Sequence, residues 1–449
     1  MRSLEDVKVR IKCLGCRTNI YEAEAIADSF RNEGAIIANG DEFDVGVLVS
    51  CAVTKTAEKK CRQALRRMQR KSPQAITVLC GCYVQGRPDE DLLHLGADLY
   101  VGNRLKAELT NIVANMIKGR IKKPLILKTD VLHDERWDSL RLSKVSFHTR
   151  SFVKVQDGCD SFCSYCIVPF LRGRPISRDM QEVIDEVERL VSQGCKEVVL
   201  TGVHLGLYGS GCDFDLGDLV KSLAKIKGLK RLRFGSIEPL ALDDKLLRLL
   251  AESEIFCRHL HIPLQSGDDG ILGLMRRGYK AKDFANIIEN VRCYLGDDVH
   301  VSTDIIVGFP GESERAFENT LTLIDNLGIG RVHVFPFSPR KGTKAYSMPE
   351  RLDKRELESR MDRAINLGRK LLQRFARRWV GQSIEILVEH CDGARVKGLS
   401  RHYLEVEADI DRRSKEPRGC LEGQIVGLER QIYVTKAEHG ILHGVSSET

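Results

Sequence analysis

The stretch from Gln156 to Arg174 reads Q-D-G-C-D-S-F-C-S-Y-C-I-V-P-F-L-R-G-R and sets Cys159, Cys163 and Cys166 in a C-x3-C-x2-C run. Fifteen cysteines in 449 residues would give this spacing by chance in roughly 0.02 of such chains. A closed zinc site or a fully protein-ligated iron–sulfur cluster asks for four protein ligands, and no fourth cysteine lies in the run. The run therefore points to an iron–sulfur cluster with one iron open to a small molecule. The bland alternative is three ordinary loop cysteines. Against it, the intervening Ser161, Phe162, Ser164 and Tyr165 are small or aromatic and suit a tight loop wrapping a cluster.

These residues resemble the radical S-adenosylmethionine superfamily, in which such a loop follows the first strand of a barrel. V-Q-D-G-C at 155–159, C-I-V-P-F at 166–170 and R-G-R at 172–174 are similar to the methylthiotransferase family. Within it they are most similar to the tRNA threonylcarbamoyladenosine methylthiotransferases. The resemblance runs along nearly the whole chain.

Length allows two to four domains with ample core. Hydrophobic content of 42% with 30% charged residues is that of a soluble globular protein. No apolar run reaches the ~20 residues of a membrane span, and M-R-S-L-E-D lacks the apolar stretch of a signal peptide, so a cytoplasmic protein without a membrane partner is expected. In that compartment cysteines read as ligands or buried thiols. A net charge of +7 permits an anionic partner without demanding one.

The first part of the chain alternates strands and helices, which predicts a parallel α/β sheet. Val7, Val9, Ile11 and Cys13 alternate with Lys8, Arg10 and Lys12; a helix follows over 20–33, and further strands are predicted over 44–50, 75–80 and 97–101. Cys16, Cys51 and Cys82 each fall just past a strand, where ligands of such sheets bind, so they could converge; they could equally be three buried thiols. Their motifs, L-G-C-R-x-N, S-C-A-V-T and G-C-Y-V-Q, resemble those holding a second 4Fe-4S cluster in methylthiotransferases. Cys13, Cys61 and Cys80 are off those positions and are expected in the core. Residues 55–71 carry eight basic side chains against one acid, Glu58, and read as a phosphate-contacting helix or a solvated face.

Alternation restarts after residue 150. Strands are predicted over 152–155, 197–201, 229–234, 259–263, 300–307 and 331–335, with a helix over 177–193 capped by Ser177. Functional residues of barrels gather at the C-terminal strand ends. T-G-V-H places Gly202 and His204 there, S-I-E-P Ser236 and Glu238, P-L-Q-S-G Gln265, and D-I-I-V-G-F-P-G-E Asp304. By the resemblance these six face S-adenosyl-L-methionine, and F-P-F-S-P-R-K-G-T at 335–343 lies on the substrate side, with Arg340 and Lys341 available to phosphate. After a long charged helix over 353–379, strands over 383–389, 402–408, 424–428 and 431–436 with glycine turns predict a small β-barrel resembling the TRAM RNA-binding domain. Arg412, Arg413, Lys415 and Arg418 could form a phosphate patch or a solvated loop there.

The expected fold class is thus α/β. An N-terminal parallel sheet domain over 1–118 is followed by a linker over 119–149, a partial (β/α)6 radical-SAM barrel over 150–376 and a TRAM-like barrel over 378–442. The resemblance implies two 4Fe-4S clusters, one on Cys159, Cys163 and Cys166 and one on Cys16, Cys51 and Cys82. It also implies S-adenosyl-L-methionine, an external electron donor, and tRNA bound at its anticodon loop. The implied reaction inserts a methylthio group at C2 of threonylcarbamoyladenosine 37. The alternatives within the family are isopentenyladenosine in tRNA or an aspartate of a ribosomal protein.

Overall fold

The computed structural model describes residues 4–144, 149–392, 395–410 and 426–446. The N-terminal part is a six-stranded parallel sheet, running in spatial order Ile36–Ile37, Lys8–Cys13, Val45–Ser50, Ile76–Gly81, Leu99–Val101 and Leu125–Leu127. Its two central strands, Val45–Ser50 and Ile76–Gly81, are buried along their whole length. Helices cover both faces of a parallel sheet, which explains their continuous apolar sequence. Two strands escape sequence reasoning. Ile36–Ile37 is too short to show a period, and Leu125–Leu127 is three residues inside the stretch expected as linker. That stretch is tied down elsewhere: Tyr21 Oη donates to the Leu140 carbonyl at 2.9 Å, and Asp28 accepts from the Ser143 amide.

Helix Arg17–Asn32 is buried on more than one face, because it lies between this sheet and the first strand of the next domain. That strand, Ser151–Lys154, begins an open arc of six parallel strands. Glu197–Thr201, Arg231–Phe234, His259–His261, His300–Val307 and Arg331–Pro336 follow in order. The arc forms two three-stranded halves, joined by bridges Leu232↔Phe256 and Ser236↔His261. All six lie where the sequence puts them. The helix predicted over 177–193 is Met180–Ser192, and its cap is Asp179, which accepts from the Glu182 amide at 3.0 Å, not Ser177. Ser177 lies in strand Ile176–Ser177 and its hydroxyl accepts from the Gly209 amide instead.

Helix Lys354–Arg377 packs along the last strand of the arc and leads to a closed five-stranded barrel. Around it run Ser383–Cys391, Arg395–Ser400, Glu405–Asp409, Ile441–Ser446 and Glu429–Glu438, enclosing Ile384, Ile386, Val406, Ile432 and Leu442. Val426, Gly427 and Leu428, expected in a strand, lie outside the strands and precede Glu429–Glu438. The cationic stretch 411–420 lies outside the described residues. This small barrel seats on the base of the central arc. Fully buried Arg231 donates to Glu429 at 2.8 Å, Glu385 at 3.0 Å and the Leu399 carbonyl at 2.9 Å. Arg233 donates to Glu197 and to the Ser400 and Arg401 carbonyls. Tyr403, in the left-handed region at φ 61°, stacks on His259 with ring centroids 4.5 Å apart.

Candidate functional site

The cysteine loop is closed at its base by pairing of Gln156–Asp157 with Ile176–Ser177. The Cys159 amide donates to the Gly173 carbonyl at 3.0 Å. Gly158 and Gly173 have φ of 76° and 79°, and a Cβ at either would overlap a backbone carbonyl, of Arg174 or Val131. Only glycine lets these backbone segments come this close. At its tip the loop is pinned by Ser164, whose amide donates to the Met275 carbonyl and whose hydroxyl donates to that of Leu274. Arg277 reaches Cys163 Sγ at 3.4 Å, pairs with Glu238 and lies over the Tyr279 ring. Burial pushes the Cys159 thiol up and that of Cys166 to about 12. Such thiols bind metal as thiolates, releasing their protons to solvent.

The residues expected to face the cofactor divide in two. His204 and Glu238 come to the cysteine loop. Burial lowers the pKa of His204, with the Glu238 carboxylate opposing, and its Nδ1 is buried without a hydrogen-bond partner. Glu238 is joined to Cys163 through Arg277. Gly202 sits at the loop's base, where a Cβ would lie 2.9 Å from Gln156 Oε1, the atom that accepts from the His204 amide. An orphaned imidazole nitrogen and a carboxylate beside three thiols make a fitting cradle for a polar group bound over the loop. Ser236, Gln265 and Asp304 lie further round the arc. Exposed Ser236 bridges to His261. Gln265, at φ 71°, donates its amide to the Asp304 carbonyl, and the Asp304 carboxylate pairs with His261 at 3.2 Å.

Cys16, Cys51 and Cys82 lie together at the carboxyl ends of neighbouring strands. A Cβ on Gly15 would stand 3.3 Å from Cys51 Sγ. Asn19 Nδ2 ties the Cys16 turn to the carbonyls of Leu14 and Ser50 at 2.7 and 3.1 Å. Burial, then the neighbouring Cys82 thiol, push Cys51 to about 12. Cys61 and Cys80 are buried packing residues, Cys61 against the Cys51 backbone, and Cys13 is partly buried against the core.

Sequence reasoning assigned no role to the residues linking these two sites. Arg172, 2% exposed, donates to Asn19 Oδ1 at 2.7 Å, to Glu22 at 2.9 Å and to Asp157 at 3.1 Å. Lys154 pairs with the same two carboxylates at 2.9 and 2.7 Å, and Lys106 with Glu22 at 3.2 Å. Asn103 Nδ2 spans Cys82 Sγ at 3.6 Å and the Leu171 carbonyl at 2.7 Å. Burial raises the Glu22 and Asp157 carboxyls, but Arg172 and the lysines outweigh it and both end well below the carboxylate range. Buried charge leaves no periodic mark in a sequence.

Helix Lys55–Lys71 is as predicted. Thr54 caps it, Cys61, Ala64, Leu65 and Met68 face inward, and Lys55, Lys59, Lys60, Arg66, Arg67 and Arg70 are exposed. Its buried Glu58 takes Arg87 at 2.7 Å and also Arg340. Arg340 is thereby committed to an ion pair, whereas Lys341 is exposed. Among the described residues no helix is long and apolar enough to cross a membrane.

An open six-stranded arc with its cysteine loop after the first strand is the fold of radical S-adenosylmethionine enzymes, and residues 153–324 match the Radical SAM superfamily. A solved radical S-adenosylmethionine methyltransferase, TsrM from Kitasatospora setae, shares this fold at a TM-score of 0.58 and 14% identity, over 76% of this chain and 77% of that one. Residues 8–102 match a family described as Uncharacterized protein family UPF0004. Threonylcarbamoyladenosine tRNA methylthiotransferase MtaB of Bacillus subtilis is 35% identical over 85% of this chain and 84% of its own. The MtaB of Aquifex aeolicus is 33% identical over 90% and 97%. A tRNA-2-methylthio-N(6)-dimethylallyladenosine synthase of Bartonella bacilliformis is 33% identical over 90% and 91%. The chain belongs to the radical S-adenosylmethionine methylthiotransferase family, and such an enzyme uses S-adenosylmethionine and a 4Fe-4S cluster.

Proposed function

We propose that this enzyme methylthiolates N6-threonylcarbamoyladenosine in the anticodon loop of tRNA, at C2 of the adenine next to the anticodon. The observation that carries the reading is the likeness to four MtaB relatives at 33–35% identity over 85–90% of the chain. Cys159, Cys163 and Cys166 would hold one 4Fe-4S cluster, and Cys16, Cys51 and Cys82 a second. Bound together, the first cluster and S-adenosylmethionine supply one-electron, hydrogen-abstracting chemistry.

The chain's own residues position and enclose. His204 and Glu238 offer a nitrogen and a carboxylate to the cofactor's polar end, Gly202 leaves room for Gln156 to hold the His204 amide, and Ser236, Gln265 and Asp304 line the way onward. The Arg172 network ties the helix after Cys16 to the base of the Cys159 loop and would fix the two cysteine sites relative to each other. Exposed cations of Lys55–Lys71 and the C-terminal barrel meet the RNA backbone, and an unstacked anticodon-loop base can enter where a paired one cannot. An external donor supplies the electrons.

Alanine at Cys159, Cys163 and Cys166 is expected to abolish 5′-deoxyadenosine formation. Alanine at Cys16, Cys51 and Cys82 should lower iron from about eight to about four per chain while 5′-deoxyadenosine release persists, and should remove the methylthio product. Alanine at Cys13, Cys61 and Cys80 should leave iron unchanged. Iron lost from the last variant and kept in the second would overturn the ligand assignment. Mass spectrometry of tRNA nucleosides decides between the threonylcarbamoyl and isopentenyl substrates.

A further inference from the structure

Arg17 immediately follows Cys16 and opens helix Arg17–Asn32. It is half-buried, and among the described residues it has no carboxylate partner. Its guanidinium donates only to Tyr403 Oη, at 3.2 Å, and lies 5.6 Å from that ring's centroid. Half-buried Arg62 and Arg331 also have no carboxylate ion pair among the described residues, and Arg17 differs from them in its place, directly after Cys16 and against a ring that stacks on the arc. Arg172, Arg178, Arg231, Arg233 and Arg360 all pair with carboxylates at 2.7–3.3 Å. The fully buried arginines already have their counter-charges, whereas Arg17 is free to take an anion from a ligand beside Cys16.

Its surroundings are polar. Tyr403 stacks on His259, and the next residues along the arc are His261, Asp304 and His333, whose ligand atoms all lie within 4.8 Å of one another. Ser302 Oγ is hydrogen-bonded to His261 Nδ1 at 2.9 Å, which leaves Nε2 facing Asp304. This trio has the make-up of a cation site, but burial lowers the pKa of His333, with the Asp304 carboxylate opposing and His261, Arg331 and Arg17 adding to it. The Arg331 and Arg17 charges that disfavour a protonated imidazole also disfavour a metal ion. The side of the cluster next to Arg17 and Arg331 suits an anion, with the imidazoles as hydrogen-bonding neighbours.

We propose that Arg17 reads the carboxylate of the substrate's N6 substituent, with His261 and His333 beside its hydroxyl and carbonyl groups. The proposal rests on the threonylcarbamoyl reading above and deepens it. An isopentenyl group would bury these polar atoms and return no hydrogen bonds, which is a strong basis for rejection. The same guanidinium chemistry would also suit an RNA phosphate, and the test separates the two sources.

Anticodon stem-loop RNAs carrying N6-threonylcarbamoyladenosine, its methyl ester, or N6-isopentenyladenosine would be methylthiolated by the reconstituted enzyme. The wild type is expected to prefer the acid over the ester in kcat/KM by about tenfold to a hundredfold, the scale of a charge-assisted hydrogen-bond pair. Arg17→Gln should bring that ratio close to one, and Arg17→Lys should keep part of it, with iron content measured on each. A wild type that treats acid and ester alike overturns the proposal without any variant. An Arg17→Gln enzyme slowed equally on both also overturns it, because loss of a phosphate contact or of packing leaves the ratio intact. A wild type that modifies only the isopentenyl RNA refutes the threonylcarbamoyl reading itself, before any variant is compared.

Discussion

Gly158 shows how much of the site rests on single backbone positions. Its φ is 76°, a region costing an L-residue about 1–2 kcal/mol, and its missing Cβ would overlap the Arg174 carbonyl. Gly158→Ala should therefore destabilise by more than about 2 kcal/mol and reduce iron loading. Gly119, at φ 70° with open space around it, serves as the control: Gly119→Ala should cost about 1 kcal/mol and leave iron unchanged. Chemical denaturation and iron analysis read both, and equal losses in the two would show that overlap at the loop contributes nothing. At this scale the cysteines were legible because their spacing is improbable. Arg172, Asn103 and Arg17 were not, because a residue's partners from other segments leave no trace in its neighbours.

Helix Lys55–Lys71 lines up six exposed cations beside the Cys51 turn. Replacing Lys59, Lys60, Arg66 and Arg67 with Gln should weaken tRNA binding and flatten the salt dependence of affinity, by about one unit of log–log slope for each phosphate no longer neutralised. An unchanged slope would return these residues to a solvated face. Removing residues 381–449 is a poorer test of RNA binding, because it strips Glu385 and Glu429 from buried Arg231 and damages the arc as well. The elements with a clear period, such as this helix and the six strands of the arc, could be read directly. Strands Arg395–Ser400 and Ile441–Ser446 could not, since each contains a glycine that reads as a turn. Gly398 and Gly444 are there because a Cβ would collide with the Leu387 or Tyr433 carbonyl across the small barrel.

For the whole molecule, the buried charges between the first two domains set a pH limit. Glu22 and Asp157 have carboxyls held below their ordinary range, so their stabilisation is complete above the unfolded value near pH 4 and is lost as pH falls. Below about pH 4 the protein should lose up to about 1.4 kcal/mol per pH unit for each. Urea midpoints at pH 5, 4 and 3 test this, and a flat profile would mean the pair is not ionised in the fold. The brace that depends on these charges has a further consequence. Arg172 grips Asn19 beside Cys16 from the end of the Cys159 loop, and Asn103 spans Cys82 and Leu171. Where metal at one triad orders this brace, reciprocity requires that it raise the other triad's affinity by the same factor. With both triads holding clusters as proposed, iron uptake would be cooperative, and a cell short of iron would hold empty and fully loaded molecules in preference to half-loaded ones.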